Sequence, residues 1–311
     1  MIITVTLNPA IDMWLTVPTL EKGKFVRSEK ERLNAGGKGV IIARILQKLN
    51  MGPVVASGIL AGRTGLTLED YLSREKVPAN FVFLPGFDTR LNIEIVDSTD
   101  NSVTQINTTG PSVSEEHVQQ LINNILRISH ADDLAVLAGH VPMGLSDDAY
   151  VQISDALKKK GLRIVVNAGA QFVKPVLESN NDVGIVLDPK GPNGFQINSL
   201  DDEVELVKKY LKERPVLSFS WSNTENVIGM NGKIYHARIV NPNIRTLWGA
   251  NSALTAGLVY GVHEGLAPEE TISLAMAMAY YVARDPWALF DNPNPFDEIT
   301  KLRDSIEVRL I

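Results

Sequence analysis

The sequence predicts an α/β fold, in which a mostly parallel sheet covered by helices on both faces carries a small antiparallel sheet as an insertion. Three observations predict it. From about residue 130 onward, buried strand-like runs alternate with amphipathic helical runs, the sequence form of repeated βαβ units. Earlier, LNIEIVDSTDNSVTQIN alternates apolar and polar residues around a Ser-Thr-Asp-Asn turn, the mark of a hairpin with one exposed face. The composition is that of a globular protein: 311 residues, 44% hydrophobic, 21% charged, and no cysteine.

Each element has its own local justification. The stretch from Trp14 to Leu33 is short, charged and extended in character. With the hairpin it gives a lid made of about residues 13–33 and 90–108, inserted in one body spanning 1–311. DLAVLAG reads as a fully buried strand. DDAYVQISDALKKKG reads as a helix with acids early and lysines late, as the helix dipole favours. LRIVVNAG, VGIVLDP and PVLSFSW are further strands, and QFVKPVLES is a helix. SLDDEVELVKKYLKER is a helix with Ser199 as N-cap, and its acidic run Asp201–Glu205 reads as a solvated helix start. ENVIGMNGKIYHARIV places Asn231-Gly232 between two alternating runs, a type I′ hairpin signal.

Several function classes are poorly supported. The net charge of −6 argues against coating a nucleic acid. Without cysteine there are no disulfides, iron–sulfur clusters or thiolate chemistry. MIITVTLNPAID lacks a basic leader, and Ile272–Ala283 is about half the ~20 residues of a membrane span. The expectation is a cytoplasmic protein with neither membrane nor nucleic acid as partner. The histidines at 117, 130, 140, 236 and 263 show no metal-ligand spacing, and no G-x-S-x-G elbow is present.

Two glycine-rich segments each lead into a helix. In Asn34-Ala35-Gly36-Gly37-Lys38-Gly39 the glycines permit close backbone approach, the helix start attracts anions, and Lys38 adds a charge suited to phosphate. The pattern is neither a Walker A loop nor a dinucleotide fingerprint. In Leu247-Trp248-Gly249-Ala250-Asn251-Ser252, small residues line a second helix start, able to hold a developing phosphoryl charge. Trp248 and the cluster Met276, Met278, Tyr280 and Tyr281 read as core.

Together these motifs resemble the ribokinase-like (PfkB) carbohydrate kinases, and within them the 1-phosphofructokinase and tagatose-6-phosphate kinase branch. TLNPAID matches that branch at Asp12, and NAGGKG matches its first glycine motif at Gly37 and Lys38. DTRLN resembles its T-R-x-N segment at Arg90 and Asn92. GHVPMG, with His140, resembles a G-S-x-P-x-G strand end. GPN, with Asn193, resembles a K-P-N motif. WGANSALTAG stands where the family has G-A-G-D. The resemblance implies a three-layer α/β/α sandwich with a β-lid. It implies ATP and Mg²⁺ as cofactors, a phosphorylated ketohexose as substrate, and a possible homodimer through the lid. Asp12, Gly37, Lys38, Arg90, Asn92 and His140 would bind the sugar phosphate. Asn193, Ser218, Ser220, Gly249 and Asn251 would bind the nucleotide. Gly249, Ala250 and Asn251 would form the anion hole, and Mg²⁺ would be held through water near Asn193 and Gln196.

The departures from the family pattern are chemically coherent. The aspartate that takes the proton from the attacking hydroxyl is Ser252, which is no base near neutral pH, and the glycine before it is Asn251. A glutamate expected to organise Mg²⁺ is Gln196. The asparagine of G-G-K-G-x-N is Ile41. The S-x-G-x-x-G loop reads Ser218-Phe219-Ser220-Trp221-Ser222-Asn223, with both glycines gone. A family aspartate is Asn167, and the serine of G-S-x-P is His140. Two readings compete: a slow ATP-dependent phosphosugar kinase, and a non-catalytic protein that binds sugar phosphate and nucleotide as a sensor or partner subunit.

Overall fold

The computed structural model describes residues 1–179, 182–188, 195, 197–219, 224–285 and 287–311. The chain opens with β1 (Ile2–Thr6), buried along its whole length. Strands β2 (Ala10–Val17) and β3 (Lys30–Gly36) leave the body. Helix α1 (Lys38–Lys48), β4 (Val54–Ala61), α2 (Gly62–Arg74) and β5 (Ala79–Leu84) return to it. A second excursion, β6 (Arg90–Asp97) and β7 (Val103–Asn107), is followed by regular alternation. This runs through α3 (Glu115–Ile128), β8 (Leu134–Ala138), α4 (Ala149–Lys158), β9 (Arg163–Gly169) and α5 (Ala170–Ser179). It ends with β10 (Gly184–Asp188), α6 (Leu200–Tyr210) and β11 (Val216–Phe219). The hairpin β12 (Glu225–Met230) and β13 (Lys233–Ile239) precedes α7 (Ala250–Glu264) and α8 (Pro268–Arg284). Short α9 (Ala288–Asp291), α10 (Pro295–Leu302) and β14 (Ile306–Leu310) close the described chain.

The large sheet runs β14-β13-β12-β11-β10-β9-β8-β1-β4-β5. The seven strands from β11 to β5 are parallel, and β12, β13 and β14 join antiparallel at one edge. Strand alternation sends Ile2, Val136 and Val165 to one face, against α1, α7 and α8. It sends Ile3, Leu137 and Val166 to the other, against α3, α4 and α5. A period of two on a sheet buried on both faces thus makes two apolar layers. The chain leaves β1 toward β4 on one side and lies beside β8 on the other, a switch in strand order of the kind beside which α/β folds open a crevice.

The small sheet has the order β3-β2-β6-β7. Its outer pairs are antiparallel hairpin-like pairs, and β2 and β6 meet in parallel. The register sets Asp12 opposite Asn34 and Asn92, and Trp14 opposite Arg32 and Glu94. One face of the sheet is therefore polar.

The predicted Asn231-Gly232 turn forms as expected, with φ of 51° and 76°, the left-handed pair a type I′ turn requires. Ser199 caps α6 by accepting the Asp202 N–H at 3.2 Å. One expectation for that helix is overturned. Glu203, read as part of a solvated acidic start, is fully buried. Its helix packs on β12, and Glu203 Oε1 accepts the Val227 N–H at 2.9 Å. Burial pushes its carboxyl up to about 8. The apolar run Ile272–Ala283 is buried within α8. Among the described residues no helix is long and apolar enough to cross a membrane.

Candidate functional site

The polar face of the small sheet roofs a cleft of about 670 Å³. Asp12, Trp14, Arg90, Asn92 and Glu94 line it from above, and Gly37 and Lys38 line it from the start of α1. The segment 245–252 and Tyr280 of α8 line the opposite wall.

On the lid side, a chain of hydrogen bonds orients three residues. Arg90 Nε donates to the Asn8 carbonyl at 3.1 Å, and its Nη1 donates to Asn92 Oδ1 at 3.2 Å. Asn92 Nδ2 then donates to Asp12 Oδ1 at 2.8 Å. The i, i+2 spacing of Arg90 and Asn92 on one strand face, and the register of Asp12 with Asn92, make this possible. Burial pushes the Asp12 carboxyl up to about 6, against the opposing pull of Asn92, Arg90 and Arg44. Gly36 is required here: a Cβ at that position would lie 2.1 Å from Asp12 Oδ2. Gly37, with φ of 97°, lets β3 turn directly into α1. Buried Arg44 braces that turn, donating to the Ala35 carbonyl at 2.8 Å and pairing with Glu75 at 2.6 Å.

On the opposite wall Gly249, with φ of 74°, begins α7. The Ala250 N–H is taken by the Leu247 carbonyl at 3.3 Å; the next N–H groups of a helix start lack intrahelical partners, so Asn251 and Ser252 present an anion-receptive end to the cleft. Ser252 is buried. The Asn251 side chain is engaged from behind: its Oδ1 accepts from Asn167 Nδ2 at 2.9 Å, and its Nδ2 donates to the Leu187 carbonyl at 3.3 Å. The two amides thus tie the helix start to the ends of β9 and β10.

Three tryptophans join the two walls. Trp14 meets Trp248 at 5.4 Å and Trp287 at 5.1 Å between ring centroids, both edge to face. The Arg32 guanidinium lies 4.1 Å above the Trp287 ring and pairs with Asp291 through two hydrogen bonds of 2.9 and 2.7 Å. Trp248, read from sequence as core, both packs against the core and lines the cleft, and Met276 and Tyr280 line it too.

Of the residues singled out from sequence, Asp12, Gly37, Lys38, Arg90, Asn92, Gly249, Ala250, Asn251 and Ser252 all line this one cleft. His140 does not. It follows β8 with its ring edge-on to Phe172 at 4.8 Å, and burial, then the Arg90 charge, holds its pKa down. Ser218 does not line it either. It is buried within β11 and donates to Asn226 Oδ1 at 2.9 Å, and Asn226 reaches the cleft in its place. Asn193, Gln196 and Ser220 lie outside the described residues. Sequence reasoning missed Trp14 and Glu94. The signal was present, since each follows a chosen residue, Asp12 or Asn92, by two on the same strand face. Glu94 is buried with Oε2 unpartnered, and burial, with the nearby Asp12 charge, pushes its carboxyl up to about 8.

Fold and site define a lidded α/β sandwich in which a polar lid face carrying Arg90, Asp12 and Glu94 lies across the cleft from a helix start. The profile of pfkB family carbohydrate kinases matches residues 5–187, and the chain belongs to that family. It is 26% identical to a tagatose-6-phosphate kinase of Staphylococcus epidermidis over 99% of this chain and 100% of that protein. It is 27% identical to a 1-phosphofructokinase of Bacillus subtilis, covering 89% and 90% of the two. The crystal structure of a possible 1-phosphofructokinase from Thermotoga maritima superposes with a TM-score of 0.84 at 25% identity, over 100% of this chain and 99% of that one. A ribokinase of Arabidopsis thaliana shares the fold, with a TM-score of 0.71 at 17% identity over 97% of this chain and 98% of that one.

Proposed function

We propose that this chain binds a phosphorylated ketohexose and ATP in the cleft, and that it transfers phosphate slowly. The observation that carries the binding half is the Arg90–Asn92–Asp12 chain beside Lys38. It sets a fixed guanidinium for a phosphate and a fixed carboxylate for sugar hydroxyls under one roof. The relatives named as 1-phosphofructokinase and tagatose-6-phosphate kinase support the substrate class. The start of α7 fits the nucleotide's phosphates by the backbone N–H groups of Asn251 and Ser252, whatever side chain follows. ATP supplies the phosphoryl group, and Mg²⁺ arrives with its phosphates. Among the described residues no group of three His, Asp or Glu is placed to hold a metal ion by itself.

The slow half rests on Ser252. Asp12 and Asn92 orient the sugar and the α7 start holds the incoming anion, but Ser252 supplies no acceptor for the attacking hydroxyl's proton. Loss of a general base costs on the order of 10²–10⁴-fold in rate. Positioning and electrostatics, the larger part of phosphoryl transfer, remain. The test is ADP release with Mg·ATP and fructose 1-phosphate, fructose 6-phosphate or tagatose 6-phosphate. Turnover in the ~1–100 s⁻¹ range of ordinary kinases would overturn the slow reading.

One observation favours the second reading, a non-catalytic sensor or partner subunit. The Asn251 amide is bound to Asn167 and the Leu187 carbonyl, so the helix start is fastened where the family carries glycine. Calorimetric binding of both ligands with no turnover would establish it. The reading includes one body across 1–311 and a homodimer through the lid. The outer face of the small sheet carries Met13, Leu33, Ile93 and Ile106, with Leu33 39% and Ile106 51% exposed.

A further inference from the structure

The underside of the lid carries two buried polar atoms that the Arg90–Asn92–Asp12 chain does not use. Trp14 Nε1 and Glu94 Oε2 each make no hydrogen bond within the protein. Their residues are direct partners across the parallel β2–β6 pair and line the same cleft. Glu94 is 3% exposed, and its Oε2 is closed off from bulk water. The Trp14 indole lies beside that carboxyl and is the one hydrogen-bonding influence favouring its ionised form, yet neither group completes a bond with the other. An unsatisfied buried donor beside an unsatisfied buried carboxyl oxygen is costly, and a group that pairs with both recovers that cost.

We propose that Trp14 and Glu94 form a second hydroxyl-binding subsite under the lid, distinct from Asp12, which takes one hydroxyl of the polyol part of the substrate. A hydroxyl carries a donor and an acceptor on one atom. Its oxygen accepts the Trp14 N–H while its hydrogen goes to the Glu94 carboxylate. When Glu94 is protonated, both protein groups donate to the same oxygen. The position selects among ketohexose phosphates by the presence and direction of that hydroxyl, because a site built to pair polar groups rejects the analogue that leaves them unpaired. The tryptophan contacts with Trp248 and Trp287 hold the indole in place for this.

This subsite rests on the phosphosugar reading, and the experiment separates the two. Binding is measured by calorimetry for fructose 1-phosphate, fructose 6-phosphate, tagatose 6-phosphate, their singly deoxygenated analogues, and unphosphorylated fructose and tagatose. The proteins are the natural chain, Trp14→Phe, which keeps the ring and loses the N–H, and Glu94→Leu. The indole N–H resonance of Trp14, assigned by its loss in Trp14→Phe, is followed in the same titrations. The expected result is that each variant weakens the parent sugar phosphate about tenfold, near 1.4 kcal/mol. Neither should further weaken the one analogue that lacks the recognised hydroxyl, and only ligands that retain it should move the Trp14 resonance. Tight phosphosugar binding that both variants leave unchanged, with a still Trp14 resonance, overturns the subsite and leaves the phosphosugar reading standing. Binding of the unphosphorylated sugars alone, dependent on Trp14 and Glu94, upholds the subsite and removes the phosphate. Binding of neither class removes both.

Discussion

Arg90 has two tasks, and they predict different losses. It is a fixed cation on the cleft face of the lid, and it orients Asn92, which in turn holds Asp12. Arg90→Ala is expected to weaken sugar-phosphate binding by ~1.5–3 kcal/mol, the worth of a charge-assisted contact; unchanged affinity by calorimetry would discard the assignment. Across the cleft, Ser252→Asp restores a carboxylate at the start of α7. By itself it meets a helix start fastened through Asn251, so Ser252→Asp with Asn251→Gly is expected to raise ADP release more than Ser252→Asp alone. If neither raises it in a protein that binds both ligands, the missing base is not the limit, and Ile41 in the cleft wall becomes the next position to change.

At the scale of elements, the lid is fastened to the body by aromatic and cationic contacts rather than by backbone pairing. Trp14 of β2 packs between Trp248 and Trp287, and Arg32 of β3 reaches Asp291 of α9. Arg32 and Asp291 are 35% and 58% exposed, so their ion pair itself contributes only ~0.2–1 kcal/mol. Arg32→Ala is therefore expected to shift the melting temperature little while raising amide exchange in β2 and β3, because it releases a local tie and not the core. An equal rise in β8 and β9 would show that Arg32 acts on the whole fold. The same scale explains what the sequence left open. Alternation gave the strands their faces, and Asn231-Gly232 gave the hairpin, since both are local. It did not show that β2 and β6 pair in parallel, because strands distant in sequence choose partners by three-dimensional closure.

For the whole molecule, buried acids set the pH response. Glu94 and Glu203 are both pushed up to about 8, and Asp12 to about 6. A carboxyl with a raised folded-state pKa holds its proton more tightly folded than unfolded. Its stabilisation is full below the unfolded value and is lost as pH rises through the folded one. The melting temperature is thus expected to fall between pH 6 and pH 9. Glu203→Gln keeps an acceptor for the Val227 N–H and removes the charge, so it should flatten that fall; scanning calorimetry at the two pH values checks it. The apolar outer lid face gives a second whole-molecule expectation. Ile93→Asp with Ile106→Lys should convert a dimer to a monomer by light scattering, and a natural chain that is monomeric at tens of micromolar would remove the interface.

The sequence by itself determined the alternation of strands and helices and the two glycine-bearing helix starts. It also carried most of the cleft, from Asp12 and Lys38 through Arg90 to Ser252. These were legible because backbone permissiveness, strand period and side-chain chemistry are properties of a residue and its near neighbours. What only the tertiary structure decided depends on register and packing between distant segments. Glu203, an apparent surface acid, is buried because α6 lies on β12. His140 stands beside Phe172 and off the cleft, and Ser218 spends its hydroxyl on Asn226. Trp14 and Glu94 meet because residues eighty positions apart pair in one register across β2 and β6. No local rule fixes that register; the burial of one face of the lid over the cleft does.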